Sequence, residues 1–194
     1  MDSKNLNLEY HKYLKSHSLI GKIYKKHFLH KFLLKYSGQD FLDIGCGLGN
    51  FLLSGSEKAL GIDVNEYNVT YINKNGLKAK LIPSNGIFPL KDKSYESIVC
   101  DQVLEHIEDP ALFLSEIDRV IKTPGKLILG LPLEKGYKAD PDHCNFYTPK
   151  NAIKLIESNT RLVHQRTIYY PLPLKIFGKF FKQQFFYLLF KTFN

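Results

Sequence analysis

The chain has 194 residues, 44% apolar and 24% charged, with a formal net charge of +8, a length that fits one globular domain able to bury roughly 70% of the surface its unfolded chain exposes. Its three cysteines, Cys46, Cys100 and Cys144, lie far apart with no C-x-x-C pair, which excludes a disulfide-rich scaffold, argues against structural zinc and points to a reduced, cytoplasmic setting. The first residues lack the apolar core of a signal peptide, and the longest apolar run, Phe185 to Phe190, falls far short of the roughly 20 residues that span a bilayer.

Taken in chain order, residues 9 to 36 read as one or two helices, with Leu14, Ile20, Ile23, Tyr24, Phe28, Phe32 and Leu33 inward and Lys and His outward. Asp40 to Ile44 reads as a buried strand running into Gly45, Gly47 and Gly49, with a short helix starting near Leu48. Ala59 to Val64 is a second strand, followed by a helix from Glu66 to about Asn75 that Gly76 ends. Leu77 to Pro83 and Tyr95 to Cys100 are the third and fourth strands. Asp109 and Pro110 cap a helix whose Phe113, Leu114, Ile117, Val120 and Ile121 recur at helical spacing. A Pro124-Gly125 turn leads into a fifth strand, Lys126 to Leu131. Thr148 and Pro149 cap a further helix, and Leu162 to Tyr169 is a sixth strand. In the tail, Lys175, Lys179 and Lys182 fall on one helical face opposite Phe177, Phe181 and Leu188, which predicts a C-terminal Phe/Lys-rich helix in place of a returning strand.

These elements predict the α/β class: a doubly wound, mainly parallel sheet of six or seven strands with helices on both faces. They divide the chain into a basic N-terminal helical extension (1–37), a core (38–170) and an amphipathic aromatic tail (171–194). The charge follows the same division. Residues 1–36 carry +6, residues 37–160 carry −4, and residues 161–194 carry +6 with no acidic side chain.

The segment FLDIGCGLGNF ends a strand in Asp43 and then places glycine at every second position, so the backbone can turn sharply and meet a ligand without a side chain between them. The dinucleotide pattern G-x-G-x-x-G fails at its last position, where Asn50 stands. What is met is D-x-G-x-G-x-G. Together with GIDVN, VLEHIEDP and RVIKTPGKLILGLP in that order, the segment resembles the class I S-adenosylmethionine-dependent methyltransferases over about residues 38 to 158.

The resemblance implies S-adenosylmethionine as cofactor and roles for the matching positions. Asp43 and the loop of Gly45, Cys46, Gly47 and Gly49 would hold its methionine part, and Asp63, with Val64 beside it, would accept both ribose hydroxyls. Asn85 stands where the family has an Asp beside the adenine amine, with Gly86 and Ile87 lining that pocket. Asp101 and Gln102 would lie nearest the transferred methyl. By itself, Cys46 between glycines reads as a small buried side chain.

Methyl transfer is an in-line displacement on an already activated carbon, so positioning the acceptor supplies much of the acceleration and a base is needed for weakly acidic acceptors. The N/D-P-P-Y/F motif of exocyclic-amine methylation is replaced by Asp101-Gln102-Val103-Leu104, which argues against that chemistry on nucleic acid. Some relatives bind a divalent metal through E-x-x-E-H; here Gln102 replaces the first Glu and His143 is the candidate third ligand, but Gln suits a hard cation poorly, so the favoured expectation is no metal, with Glu105 and His106 shaping the pocket and His143 capping its loop, and with His106 or His143 the candidates for a general base. The acceptor expected is a small molecule, sugar or lipid-linked precursor methylated on a hydroxyl or carboxyl. The basic, Phe-rich tail matches an anionic membrane surface on the inner face as well as it matches packing on protein. A catalytically silent cofactor-binding module and an RNA methyltransferase are the competing readings.

Overall fold

The computed structural model describes residues 3–15, 28–182 and 185–193; the expected inward residues Ile20, Ile23 and Tyr24 lie outside them. It divides into two compact units, Met1–Pro89 and Leu90–Asn194. Seven strands are present among the described residues, mostly parallel, and the chain has the expected doubly wound α/β class.

In the first unit, β1 (Leu42–Ile44), β2 (Leu60–Asp63) and β3 (Ala79–Leu81) pair in parallel in the order β3-β2-β1, with Asp43 opposite Gly61 and Gly61 opposite Ala79. Phe41, Leu42 and Ile62 are fully buried, as strands covered on both faces must be. The helices are α1 (Ser3–Lys15), α2 (His30–Ser37) and α3 (Glu66–Lys74). Asn65 starts α3, its side-chain oxygen accepting the backbone N–H groups of Tyr67 (3.0 Å) and Asn68 (3.4 Å), which satisfies two of the donors every helix leaves open. Two expectations are corrected here. Phe28 is 60% exposed rather than inward. The short helix near Leu48 is absent; turns run through residues 45–51 to a 3₁₀ turn at Leu52–Ser54, where Phe51 stacks on Phe41 with ring centroids 4.4 Å apart.

In the second unit, β4 (Tyr95–Asp101) runs parallel to β5 (Ile121–Pro132). The expected Pro124-Gly125 turn is absorbed into β5 as an irregularity, so Tyr95 faces Ile121 while Ser97 faces Lys126. The helices are α4 (Pro110–Val120), α5 (Glu134–Tyr137) and α6 (Pro149–Asn159). Asp109 caps α4 through Ala111 N–H at 3.0 Å, and Thr148 with Asn151 forms a capping box on α6, both as the sequence signals imply.

The C-terminal helix is the main correction. Residues 171–194 contribute a 3₁₀ turn at Lys175–Lys179 and then β7 (Phe185–Thr192), which inserts antiparallel between β5 and β6 (Val163–Tyr170). The order is β4-β5-β7-β6. The physical reason lies in FFYLLF: Phe186, Tyr187, Leu188 and Phe190 are at most 1% exposed, and an uninterrupted run of aromatic and branched residues suits a strand covered on both faces better than a helix with a polar side. Phe185–Thr192 is therefore part of the second unit's sheet and not of a C-terminal helix. No helix among the described residues is long and apolar enough to cross a membrane.

Candidate functional site

In the first unit, Gly45, Gly47 and Gly49 all have positive φ, at 71°, 54° and 73°, a conformation that costs any other residue strain. This explains glycine at alternate positions. The turn is anchored to the end of β2. Gly45 N–H donates to Ile62 O at 2.8 Å, and Gly47 N–H donates to Asp63 Oδ2 at 2.8 Å. The other Asp63 oxygen, Oδ1, accepts Asn65 N–H, also at 2.8 Å. Asp63 is 6% exposed, and burial raises its carboxyl pKa while the Asn65 and Gly47 N–H bonds and the Asn68 side chain oppose the rise.

Asp43 is equally buried. Both carboxylates lie near Cys46, where burial first and then their charges push the thiol far up. The thiol is therefore neutral. It packs on β2, since a Cβ at Gly61 would stand 2.5 Å from its sulfur. Cys46 thus offers the loop only its backbone.

Helix α1 lies against this turn, a placement no sequence motif announced. A Cβ at Gly47 would stand 3.6 Å from Leu14 Cδ1. Asn65 Nδ2 donates to Asn7 O at 2.8 Å, and His11 Nδ1 is 2.8 Å from Asn68 Oδ1. Farther along the unit, Asn85 is exposed and its Oδ1 accepts Ile87 N–H at 3.1 Å, with Gly86 at φ 74° between them. Val64 and Ile87 are 67% and 40% exposed.

In the second unit, Asp101 closes β4 and its Oδ1 accepts the fully buried Tyr187 hydroxyl at 2.9 Å. Gly130 leaves the space for this bond, because a Cβ there would stand 2.1 Å from Asp101 Oδ1. Gln102 follows at φ 59°, its N–H donating to Gly130 O at 3.0 Å, and its buried Nε2 has no hydrogen-bond partner among the described residues.

Glu105, His106 and His143 come together. Each offers a ligand atom, and these atoms lie within 4.8 Å of one another. The DPDHCNFYTP loop is fastened onto the turn at Leu104–His106, with Cys144 N–H (2.8 Å) and Asn145 N–H (3.1 Å) donating to Glu105 O. Both imidazoles bond backbone carbonyls through Nδ1: His143 to Tyr137 O at 2.8 Å and His106 to Asp142 O at 3.2 Å. A carbonyl only accepts, so Nδ1 carries the proton and the Nε2 lone pair of each ring is free to act. His143 Nε2 is 3.9 Å from Glu105 Oε1. Glu105 itself is fully buried and neither carboxylate oxygen has a hydrogen-bond partner among the described residues. Burial, with the charges of Asp101 and Asp140 adding to it, pushes its pKa up to about 8.

Residues 42–129 match the family model described as a methyltransferase domain. Over 121 residues the chain is 30% identical to an uncharacterized protein of Methanocaldococcus jannaschii, covering 60% of this chain and 58% of that one. Over 100 residues it is 30% identical to a probable S-adenosylmethionine-dependent methyltransferase of Mycolicibacterium smegmatis, covering 50% of this chain and 39% of that one. A SAM dependent methyltransferase from Archaeoglobus fulgidus superposes with a TM-score of 0.69 at 17% identity over 88% of this chain and 94% of that one, a likeness of fold. Residues 42–129 thus match a methyltransferase domain, and the chain is similar to S-adenosylmethionine-dependent methyltransferases in sequence and in fold.

The chain spans about half the length of the curated relatives it matches. S-adenosylmethionine is the cofactor of this methyltransferase family, and the first unit fits it in two respects. The glycine turn presents backbone N–H groups with no side chains of its own at Gly45, Gly47 and Gly49, and Asp63, bonded by Gly47 and Asn65 N–H and by the Asn68 side chain, sets a carboxylate acceptor beside it. Asn85 fits less directly, since its amide oxygen already serves Ile87. Of the catalytic candidates, the structure brings all three of Glu105, His106 and His143 into one cluster. The positioning contact from Tyr187 to Asp101 was missed in the sequence because the strand that carries it was read as a helix.

Proposed function

We propose that this methyltransferase moves a methyl group from S-adenosylmethionine to a hydroxyl or carboxyl of a small-molecule, sugar or lipid-linked acceptor, with the Glu105–His106–His143 cluster taking the proton. The observation that carries this reading is the cluster itself: His143 Nε2 lies 3.9 Å from the buried Glu105 carboxyl, and His106 offers a further nitrogen within 4.8 Å. The bound cofactor supplies an electrophilic methyl carbon and leaves as the neutral thioether. Asp63 and the Gly47 turn hold the nucleoside, and Asp43 offers an acidic neighbour to its ammonium group. With the cofactor bound, its methyl carbon would be the electrophile for the acceptor oxygen, and His143 Nε2 would take the acceptor proton. The imidazolium is then stabilised by the Tyr137 carbonyl on Nδ1 and by Glu105.

With an active hydroxyl acceptor found by labelled-methyl screening, His143→Ala is expected to lower kcat by about 10²–10⁴-fold while leaving S-adenosylhomocysteine affinity within about twofold in calorimetry. Equal turnover in the variant would sink the base assignment. An acceptor that is a nitrogen or a base of RNA would overturn the acceptor class.

A second reading of the cluster is a divalent-cation site, favoured by the two carbonyl-fixed imidazoles and the unpaired carboxylate, a two-His, one-carboxylate donor set that suits zinc or a first-row transition metal better than magnesium. Titration with Zn²⁺ or Mn²⁺ is expected to show one site that Glu105→Gln weakens at least tenfold, with proton release on binding because the Glu105 carboxyl is raised toward neutrality. Affinity unchanged by the substitution removes this reading.

A further inference from the structure

The turn between β6 and β7 carries an unusual surface. Within eight residues Leu174, Ile176, Phe180 and Phe181 are 57%, 57%, 61% and 51% exposed. They alternate with Lys175, Lys179 and Lys182, and no acidic residue occurs from 161 to 194. Large apolar side chains left in water singly need no explanation, but a contiguous set rimmed by one sign of charge marks a contact surface.

The segment is held in place rather than trailing. Phe177 N–H donates to Leu174 O, and Phe180 and Phe181 N–H both donate to Phe177 O at 3.0 and 2.9 Å. Lys135 Nζ donates to Phe180 O at 2.7 Å. Gly178 is buried so closely on Leu133 that a Cβ would stand 2.4 Å from it. The exposed side chains are thus presented from a fixed backbone. Beside them is a cavity of about 420 Å³ that Lys175 and Lys179 border together with Leu133, Phe146, Tyr147 and Ile176.

We infer that the segment Leu174–Lys182 is a membrane-docking prong: its apolar side chains enter the headgroup and upper acyl region of an anionic bilayer while Lys175, Lys179 and Lys182 meet the lipid phosphates. The occupant follows from charge and geometry together. Three cations interleaved with apolar tips match an interface that is negative at the surface and apolar just beneath it, whereas a self-association face would set these lysines against their own copies. The inference deepens the lipid-linked part of the proposed acceptor class. It does not depend on transfer, because attachment is read without any methyl acceptor.

The test is co-sedimentation of the full chain with vesicles of phosphatidylcholine containing 30% phosphatidylglycerol, and with phosphatidylcholine alone. Binding to the anionic vesicles is expected, weakened about a hundredfold by Lys175→Gln/Lys179→Gln/Lys182→Gln, at about fivefold per charge removed, and weakened likewise by high salt. Phe180→Ser/Phe181→Ser is expected to weaken it at least tenfold, with the thermal midpoint unchanged because both side chains are exposed in the free protein. Equal binding to neutral vesicles, or binding that neither variant alters, overturns the inference. So does a vesicle-independent dimer that the Phe variants dissolve, since the face would then belong to a second copy. Loss of methyl transfer with vesicle binding intact would count against the acceptor reading alone.

Discussion

Asp63→Asn is expected to weaken binding of S-adenosylhomocysteine by about a hundredfold. The carboxylate already ties two strand ends together through Gly47 and Asn65 N–H, and in the proposed function it also accepts the ribose hydroxyls. Hydrogen bonds to a charged group contribute about 1.5–3 kcal/mol each. Asn keeps one acceptor oxygen and turns the other position into a donor, so one ligand bond is lost and Gly47 or Asn65 N–H faces an amide. A loss of about 3 kcal/mol corresponds to that hundredfold change. Asp63→Ala would add the desolvation penalty of two orphaned N–H groups and lower the melting temperature as well, which is why Asn is the cleaner probe. Calorimetry on the folded Asn variant decides the matter, and an affinity within threefold of wild type would remove Asp63 from the cofactor site.

Glu105→Gln is expected to make the protein more stable at alkaline pH and to leave it unchanged in acid. The folded-state pKa is raised to about 8 from 4.5. A raised carboxyl binds its proton more tightly folded than unfolded, so its contribution is fully present below about 4.5 and is lost as pH rises through about 8. At 1.36 kcal/mol per pKa unit, the wild type loses on the order of 5 kcal/mol relative to Gln across that window, a difference of roughly 10 °C in melting temperature for a domain of this size. Melting curves of both proteins from pH 4 to pH 9 in chelator would show the midpoints diverging upward. Parallel curves would mean that the carboxyl finds a partner when ionised. Added divalent cation should close the gap if the cluster binds it, because the metal then stabilises the ionised form.

Much of both units was legible in the sequence because the signals are local. Three left-handed positions at alternate residues demand glycine, and Asp109, Thr148 and Gly76 mark helix ends through chemistry within four residues of themselves. The strand assignments through β4 rest on the same short-range patterning, with ends shifted by at most two residues, whereas β5 begins five residues before the expected Lys126. What escaped is what depends on distant partners. β7 was hidden because lysines spaced at helical intervals precede an apolar run whose periodicity is consistent with either element, and only pairing with β5 and β6 settles it. The buried His11–Asn68 contact joins residues far apart in sequence. The state of Glu105 depends on the DPDHCNFYTP loop folding over it, so its lack of a partner could not be read from the motif VLEHIEDP, although that motif did identify which residues to watch.

The place of β7 also orders the events of synthesis. Among the described residues β6 joins the sheet only through β7, yet it leaves the ribosome first. Until residues 185–192 emerge, the outer edge of β5 and both edges of β6 stand without hydrogen-bonding neighbours, and a nascent chain in that interval exposes the kind of open strand edge that chaperones cover and that aggregates recruit. Any stop introduced before Phe185 would therefore strand two elements rather than one.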